Sequence, residues 1–177
     1  MDVETDTGAT PLMLACAQAE CQDVEKLLEA GAKLNTENRR GHTALSWTCV
    51  CGHHQVVAAL LSGGVDAQYI SRLEKKTPLI HAAYNGTNQC VSLLLDNYFQ
   101  FALDRRFNLS KKKLNKTELW DMERNWLRPF EKMVLHKDIY EKTALDWAKD
   151  SGNLETVKLL EGEPSIIAMN PAKWLQT

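Results

Sequence analysis

A short pattern that returns about every 33 residues constrains the fold of this chain more than any other feature of its sequence. The pattern begins with a threonine followed two residues later by a leucine, and the four threonines are separated by 33, 34 and 66 residues. They are Thr10, Thr43, Thr77 and Thr143. A valine lies fourteen residues after each threonine, and a leucine lies three residues beyond that valine. Periods of about 20 to 50 residues are typical of stacked arrays, because a single unit cannot bury its apolar face alone.

Each unit is predicted to contain two short antiparallel helices, so the predicted fold class is all-α. The threonine hydroxyl can cap the first helix, and the proline that follows it in two units suits the first helical turn. In the second unit, apolar or small residues within 45–49 share one helical face, and Gly52 is placed to end that helix. The apolar pairs within 56–61 predict a second helix, which Gly64 would end.

Several segments of these units resemble the ankyrin repeat. They are residues 52–57 (GHHQVV), residues 28–35 (LEAGAKLN) and the Thr-Pro-Leu triplets at 10–12 and 77–79. The resemblance implies an ankyrin-repeat solenoid of helix-turn-helix units with β-hairpin-like tips. We expect a single domain over residues 1–177, with a helical insertion before the last repeat. Its expected parts are repeats at about 5–36, 37–70 and 71–98, an insertion or degenerate repeat at 99–137, a last repeat at 138–161 and a tail at 162–177.

Two departures from the family pattern bear on how the units would pack. The fourth residue of the tetrapeptide is histidine in the family, and its hydrogen bond to threonine is expected to be missing from all four units. The residues at that place are Met13, Ser46, Ile80 and Asp146. The segment 71–76 has no glycine and one extra residue, which predicts a distorted tip between the second and third repeats.

The segment 99–137 is the most individual part of the chain, and it contains none of the glycines that punctuate the repeats. We expect the second helix of the third repeat to run on by a turn or more, an exposed basic loop at 105–116, and a further helix at about 117–128. Residues 101–117 contain six bases and one acid, a net charge of +5. The candidate binding residues of this insertion are Lys111, Lys112, Lys113, Trp120 and Trp126.

Two interpretations of the insertion stay open. It is either a partner-binding arm, or a packing element whose tryptophans cover the end of the third repeat and support the last one. Aromatic residues at helical spacing are more often core residues, so packing is the favoured interpretation of the tryptophans. The tail at 162–177 is likewise expected either to fold back as a cap over the last repeat or to dock on another chain.

Residues 49–54 contain the residue types of a zinc site, but their spacing does not support one. Two cysteines separated by one residue are not a usual pair of zinc ligands, and the repeat alignment places Cys49 in a small buried slot. Cys51 is expected to be exposed and to be the most reactive thiol. No nucleophile with a neighbouring base, phosphate-binding glycine loop or metalloprotease motif occurs in the sequence. We therefore expect no metal, no cofactor and no enzymatic activity.

Composition limits the cellular compartments in which we expect the protein and the classes of ligand that we expect it to bind. The five cysteines are odd in number and irregular in spacing, which favours a reducing compartment, so we expect a cytoplasmic or nuclear location. No apolar run approaches the ~20 residues that span a bilayer. The net charge of −2 disfavours nucleic acid as the main ligand. We expect a monomer that binds a protein partner.

In proteins that this chain resembles, partners lie in a concave groove formed by the hairpin tips and the exposed side of each first helix. Carrying those positions over gives candidate partner-binding residues on three tips and two helices. They are Arg39, Arg40, His42, Val50, Cys51, Arg72, Leu73, Lys75, Lys76, Tyr84, Asn85 and Tyr140. Five of them are bases on two adjacent tips that contain one acid, Glu74, which predicts an acidic peptide or protein surface as the partner.

Three functions remain compatible with the sequence. The first is a protein-interaction module, an adaptor or scaffold, that binds its partner in the groove. The second is a regulatory or targeting subunit of an enzyme complex that docks through 99–137. The third and most distant is the binding of anionic lipid or RNA through 105–116, which a steep salt dependence of binding would favour.

Overall fold

The computed structural model describes residues 6–110 and 132–169, and every regular element in this part of the chain is a helix. The predicted all-α class is therefore confirmed. The helices are α1 (Pro11–Ala17), α2 (Cys21–Glu29), α3 (Ala44–Cys51), α4 (His54–Ser62), α5 (Pro78–Asn85), α6 (Asn88–Ser110), α7 (Ala144–Asp150) and α8 (Leu154–Met169). A helical turn at 132–134 precedes the last pair. Helix α8 extends past residue 161 into the segment expected to be a tail.

A threonine begins the first helix of every repeat, as predicted. In each case its hydroxyl oxygen accepts a hydrogen bond from the backbone N–H three residues later, at 3.2 to 3.3 Å. The capping residues are Thr10, Thr43, Thr77 and Thr143. Such a bond satisfies a backbone donor that the helix itself cannot use, and it contributes about 1 kcal/mol.

Two repeats have a reciprocal cap where the family's Thr–His contact is missing. Ser46 Oγ accepts a hydrogen bond from Thr43 N at 2.9 Å, and Asp146 Oδ2 accepts one from Thr143 N at 2.9 Å. Each pair thereby satisfies two backbone donors and forms a capping box. The hydrogen bonds from Thr143 hold the pKa of the Asp146 carboxyl below its usual range. The departures at this position therefore change how the helix start is stabilised without removing the stabilisation.

The repeats stack so that the first helices form one layer and the second helices form another. In the first layer α1 packs on α3, α3 on α5 and α5 on α7. In the second layer α2 packs on α4, α4 on α6 and α6 on α8. Because α5 packs directly on α7, the last repeat is the spatial neighbour of the third, although the segment 99–137 separates them in the sequence.

A repeated hydrogen bond ties each repeat to the one before it. The residue ten positions after the capping threonine bonds a backbone carbonyl near the end of the preceding first helix. The bonds are His53 Nε2 to Ala17 O (3.3 Å), Thr87 Oγ1 to Cys49 O (3.0 Å) and Asn153 Nδ2 to Ala83 O (3.0 Å). The bond from Asn153 shows that the last repeat stacks on the third in the same register as the earlier repeats.

Three short loops form the tips that precede α3, α5 and α7. We call them the second tip (38–42), the third tip (71–76) and the last tip (138–142). The second and last tips close with a backbone hydrogen bond over four residues, and the third closes over five. The bonds are Asn38 N to His42 O (2.9 Å), Asp138 N to Lys142 O (3.1 Å) and Ser71 N to Lys76 O (3.0 Å). In the third tip Lys75 has a φ of +51°, a conformation that favours glycine. Because the third tip closes over one residue more than the other two, the expected distortion of this tip is confirmed.

Helix α6 is longer than the repeat pattern requires. It continues to Ser110, so the expected extension is confirmed, but the loop predicted at 105–116 is wrong for residues 105–110, which are helical. The reason is that no glycine or proline occurs between Asn88 and Ser110 to end the helix. The predicted helix at 117–128 lies outside the described residues. The same holds for the insertion candidates Lys111, Lys112, Lys113, Trp120 and Trp126.

Substitution of Gly86 by alanine is expected to lower the free energy of unfolding by about 2 kcal/mol. Gly86 has a φ of +66°, and an added Cβ would lie 2.7 Å from Asn153 Oδ1, so the amide that ties the last repeat to α5 would be displaced. Gly152→Ala is the matched control, because Gly152 has a φ of +72° but an added Cβ there would meet no atom within 4 Å. Urea unfolding measures both losses. Equal losses would mean that the contact with Asn153 contributes nothing.

Candidate functional site

The groove face is the surface formed by the three tips and the exposed sides of α1, α3, α5 and α7. One row along it consists of the residues four positions after each capping threonine. They are Leu14, Trp47, His81 and Trp147. The two tryptophans are half-buried, and neither is among the site residues predicted from the sequence. The alignment of the repeats is sufficient to identify the two tryptophans, because it places all four residues at the same structural position.

An aromatic corner lies where the third repeat meets the last one, and it consists of Tyr84, Tyr140 and Trp147. The ring centroid of Trp147 is 5.3 Å from that of Tyr84 and 6.0 Å from that of Tyr140. Both pairs are edge-to-face, with interplanar angles of 88° and 85°, a geometry that aromatic quadrupoles favour. The two tyrosines keep 50% and 56% of their surface exposed. The structure therefore brings together two predicted site residues through a tryptophan that was not predicted.

Asp138 holds the aromatic corner in place. Its Oδ2 accepts a hydrogen bond from Trp147 Nε1 at 2.7 Å, and its Oδ1 accepts bonds from the backbone N–H groups of Tyr140 and Lys142 at 2.9 and 3.1 Å. The carboxylate is only 3% exposed. Two ammonium groups also lie over the Trp147 ring, Lys142 Nζ at 4.4 Å and Lys76 Nζ at 4.8 Å from its centroid. These contacts fix both the orientation of the indole and the shape of the last tip.

A pair of histidines forms the floor between the second and third repeats. The ring centroids of His42 and His81 are 4.9 Å apart, and that of Trp47 is 6.0 Å from His42. Burial lowers the pKa of His81 to about 3 and lowers that of His42 as well, so both rings are neutral at pH 7. His81 is buried, because His42 of the neighbouring tip covers it. His42 packs against these rings and is half-buried.

Four of the five predicted bases are exposed on the second and third tips. They are Arg39, Arg40, Arg72 and Lys75. The fifth, Lys76, is half-buried and forms an ion pair with Glu74 at 2.8 Å, so its charge is already compensated. Within the described residues, Arg39, Arg40 and Lys75 form no ion pair. The exposed positive charge of the groove face is therefore concentrated on two adjacent tips.

An open cleft of about 620 Å³ lies between the second and third tips. Arg39, Arg72 and Leu73 line it together with Glu37 and Tyr69. Glu37 Oε1 accepts a hydrogen bond from Arg72 N at 2.7 Å and so ties the two tips together. The cleft gives a partner side chain space between the two exposed arginines.

The other predicted site residues lie on α3 and α5. Val50 is half-buried, whereas Cys51 and Asn85 are exposed. The side-chain amide of Asn85 donates to the backbone carbonyl of His81 at 2.9 Å, which anchors the end of α5.

In the described part of the chain, no three potential ligands lie close enough together to hold a metal ion. Cys16 and Cys49 are buried, as expected from the repeat alignment, and Cys51 is exposed. Burial raises the pKa of the Cys16 thiol to about 11, so this thiol stays protonated and unreactive. Of the helices in the described ranges, none combines the length and apolar character that crossing a bilayer requires.

Comparison with known proteins adds sequence relationships to this geometry. A family model of ankyrin repeats, three copies long, matches residues 1–71 and 64–168. The chain is 32% identical to the probable E3 ubiquitin-protein ligase XBOS32 of Oryza sativa subsp. japonica over 152 residues, which cover 85% of this chain and 30% of that protein. It is 33% identical to the E3 ubiquitin-protein ligase XBAT32 of Arabidopsis thaliana over 156 residues, which cover 85% of this chain and 28% of that protein. Ankyrin repeat domain-containing protein 40 of Mus musculus is 38% identical to the chain over 58 residues, which cover 32% of this chain and 16% of that protein. The chain thus spans about three tenths of the length of the two plant relatives.

Proposed function

The chain belongs to the ankyrin-repeat family, whose arrays bind proteins, and we infer that it is an adaptor or scaffold module that binds an acidic peptide or protein surface on its groove face. One observation carries this inference, which is the concentration of four exposed bases on two adjacent tips. Arginine suits such a surface because its planar guanidinium can donate two parallel hydrogen bonds to one carboxylate.

The charge on these tips contrasts with that of the first repeat and with the net charge of the whole chain. The whole chain has a net charge of −2, and residues 1–34 contain seven acids and two bases. A local positive patch on an acidic chain attracts an acidic partner to one place and orients it there. The histidine floor between the same two repeats adds no charge to this patch, because burial keeps the pKa values of both rings low.

Reversing two charges on the second tip is expected to weaken binding of acidic peptides by about tenfold or more, mainly through slower association. The variant is Arg39→Glu with Arg40→Glu, and biolayer interferometry at two salt concentrations measures it against glutamate-rich synthetic peptides. Because both arginines are exposed, stability should change little.

The matched control is Lys26→Glu with Lys158→Glu, which makes the same change in net charge on the outer helices α2 and α8. Both lysines are exposed, and within the described ranges each pairs with an acid of its own helix. Loss of binding in this control equal to that in the tip variant would mean that net charge alone controls binding, and the assignment of the partner to the groove face would fail.

The second candidate function is a targeting module of a ubiquitin ligase complex that docks through 99–137. It is favoured because two relatives named as E3 ubiquitin-protein ligases match 85% of this chain. The ligase activity in those names belongs to proteins of which this chain spans about three tenths.

Replacing residues 111–131 with a short Gly/Ser linker tests this second candidate. Since α5 packs directly on α7, the variant is expected to keep its helical circular dichroism. If the folded variant lost a ubiquitin-transfer activity that co-purifies with the intact chain, the targeting function would be supported. If it retained that activity, docking through the insertion would be excluded.

A further inference from the structure

We propose that the aromatic corner is a second subsite for the same partner, and that this partner is an extended segment with acidic residues at one end and an apolar or aromatic side chain about six residues away. The proposal rests on the proposed function, since the acidic end is the part that the second and third tips would bind. To that function the proposal adds the chemical nature of the partner's other end and the spacing between its two ends.

The three tips change in chemical character along the stack. The second tip exposes Arg39 and Arg40, and the third exposes bases together with Leu73, which is 59% exposed. The last tip exposes Ile139 and Tyr140, at 47% and 56%. A segment that lay along this row would meet positive charge first and apolar surface last, so a uniformly acidic segment would match the second and third tips but not the last.

The aromatic corner is better suited to an uncharged side chain than to a second carboxylate. Two lysines lie beside it, but both charges are already compensated within the chain. Lys76 pairs with Glu74 at 2.8 Å, and Lys142 pairs with Asp150 at 2.5 Å. An incoming carboxylate would therefore meet the negative charges of these pairs as well as the lysines. Tyr84 and Tyr140, half-exposed and nearly perpendicular to the indole, provide an exposed aromatic surface instead.

The corner is also held rigid before any partner arrives. Asp138 fixes the indole through Nε1 at 2.7 Å and fixes the last tip through two backbone N–H groups. Ile139 N further donates to Glu74 O at 3.2 Å, which joins the last tip to the third. A preorganised aromatic cluster loses little conformational entropy on binding, and a few aromatic residues typically contribute most of the affinity of an interface.

The spacing follows from the stacking of the first helices. The axes of packed helices lie about 8 to 10 Å apart. Helix α3 packs on α5 and α5 packs on α7, so the second and last tips are separated by two such steps, or about 16 to 20 Å. An extended chain advances ~3.3 Å per residue, and about five or six residues span this distance.

Synthetic peptides test the spacing and the chemistry directly on the unmodified chain. Each contains a run of glutamates, a Gly/Ser spacer and a phenylalanine placed about six residues away, and each is made in both chain directions. In one direction, replacing the phenylalanine by serine is expected to weaken binding about tenfold, as measured by isothermal titration calorimetry. Shortening the spacer to one residue is expected to weaken binding to the same extent, because the phenylalanine could no longer reach the corner.

The variant Tyr84→Ala with Tyr140→Ala tests whether the phenylalanine of the peptide binds at the aromatic corner. On this variant the phenylalanine and serine peptides are expected to bind equally, because the two changes remove the same contact. Leu154→Ala removes an apolar side chain that is 71% exposed on the outer helix α8, and it should keep the tenfold preference.

The possible failures are distinguishable. If the phenylalanine and serine peptides bound the unmodified chain equally, while Arg39→Glu with Arg40→Glu still abolished binding, the second subsite would be refuted and the proposed function retained. If neither peptide bound the unmodified chain at low salt, both would be refuted. A preference for phenylalanine that survived in the tyrosine variant would place the apolar contact elsewhere and overturn the assignment to the corner.

Discussion

Asp138→Ala is expected to lower the free energy of unfolding by about 3 kcal/mol, the largest effect that we expect from a single side chain outside the apolar core. The carboxylate is 3% exposed and accepts three hydrogen bonds, one from the indole of Trp147 and two from the backbone of the last tip. Alanine would leave all three donors without their acceptor in a largely dry environment. Urea-induced unfolding followed by circular dichroism measures the loss.

Asp138→Asn separates the two roles of this side chain. Asn38 occupies the same place in the second tip, where its Oδ1 accepts hydrogen bonds from Arg40 N and His42 N at 2.9 and 3.0 Å. Asparagine at 138 can therefore keep the bonds of the last tip, but its amide group would face the Trp147 N–H donor. We expect a loss of about 1 kcal/mol. A loss as large as that of the alanine variant would show that the backbone bonds of the tip contribute nothing.

Acidification from about pH 7.5 to about pH 4.5 is expected to lower the free energy of unfolding by about 3 kcal/mol. The pKa of His81 is about 3 in the folded chain, compared with its ordinary value of 6.5, because the ring is buried beside His42 and Lys76. Below pH 6.5 the unfolded chain takes up a proton that the folded chain excludes, so the equilibrium shifts towards unfolding. The loss begins near pH 6.5 and is complete only near pH 3.

His81→Leu identifies the group responsible for this pH dependence. The difference in unfolding free energy between the two pH values is expected to fall to less than half, since His42, whose pKa burial also lowers, still contributes. Protonation of Asp146 changes the free energy of unfolding only below about pH 3.8, because its pKa in the folded chain lies below this ordinary value. Comparing the difference within each variant removes any effect of the substitution on stability at neutral pH. An unchanged difference in the leucine variant would contradict the assignment to His81.

Much of the fold was predictable because the repeat works through local chemistry. The hydroxyl of each threonine in the pattern caps a helix in the structure, and Gly52 and Gly86 end helices in the left-handed conformation that glycine adopts without strain. Cys49 lies in the buried slot that the alignment assigns to it. These features depend on neighbours only a few residues away, and such neighbours are visible in a sequence.

Features of the groove face that depend on distant contacts were not predictable in the same way. The sequence predicts Lys76 to be a further base of the third tip that is available to a partner. In the structure its ammonium group lies over the ring of Trp147 from the last repeat. His81 is buried because His42 from the preceding tip covers it. In both cases the decisive neighbour comes from another repeat, so it becomes a neighbour only once the repeats have stacked.

The sequence alone therefore determined the unit of the fold, its all-α class and the basic character of the two adjacent tips, because capping, helix termination and charge are properties of short segments. Only the tertiary structure decided that the last repeat packs directly on the third, since that requires α7 to find α5 across the segment 99–137. This stacking brings Tyr84 and Tyr140, which are far apart in the chain, into contact with the same side chain, Trp147. The aromatic corner arises from that long-range packing, and no local pattern in the sequence encodes it.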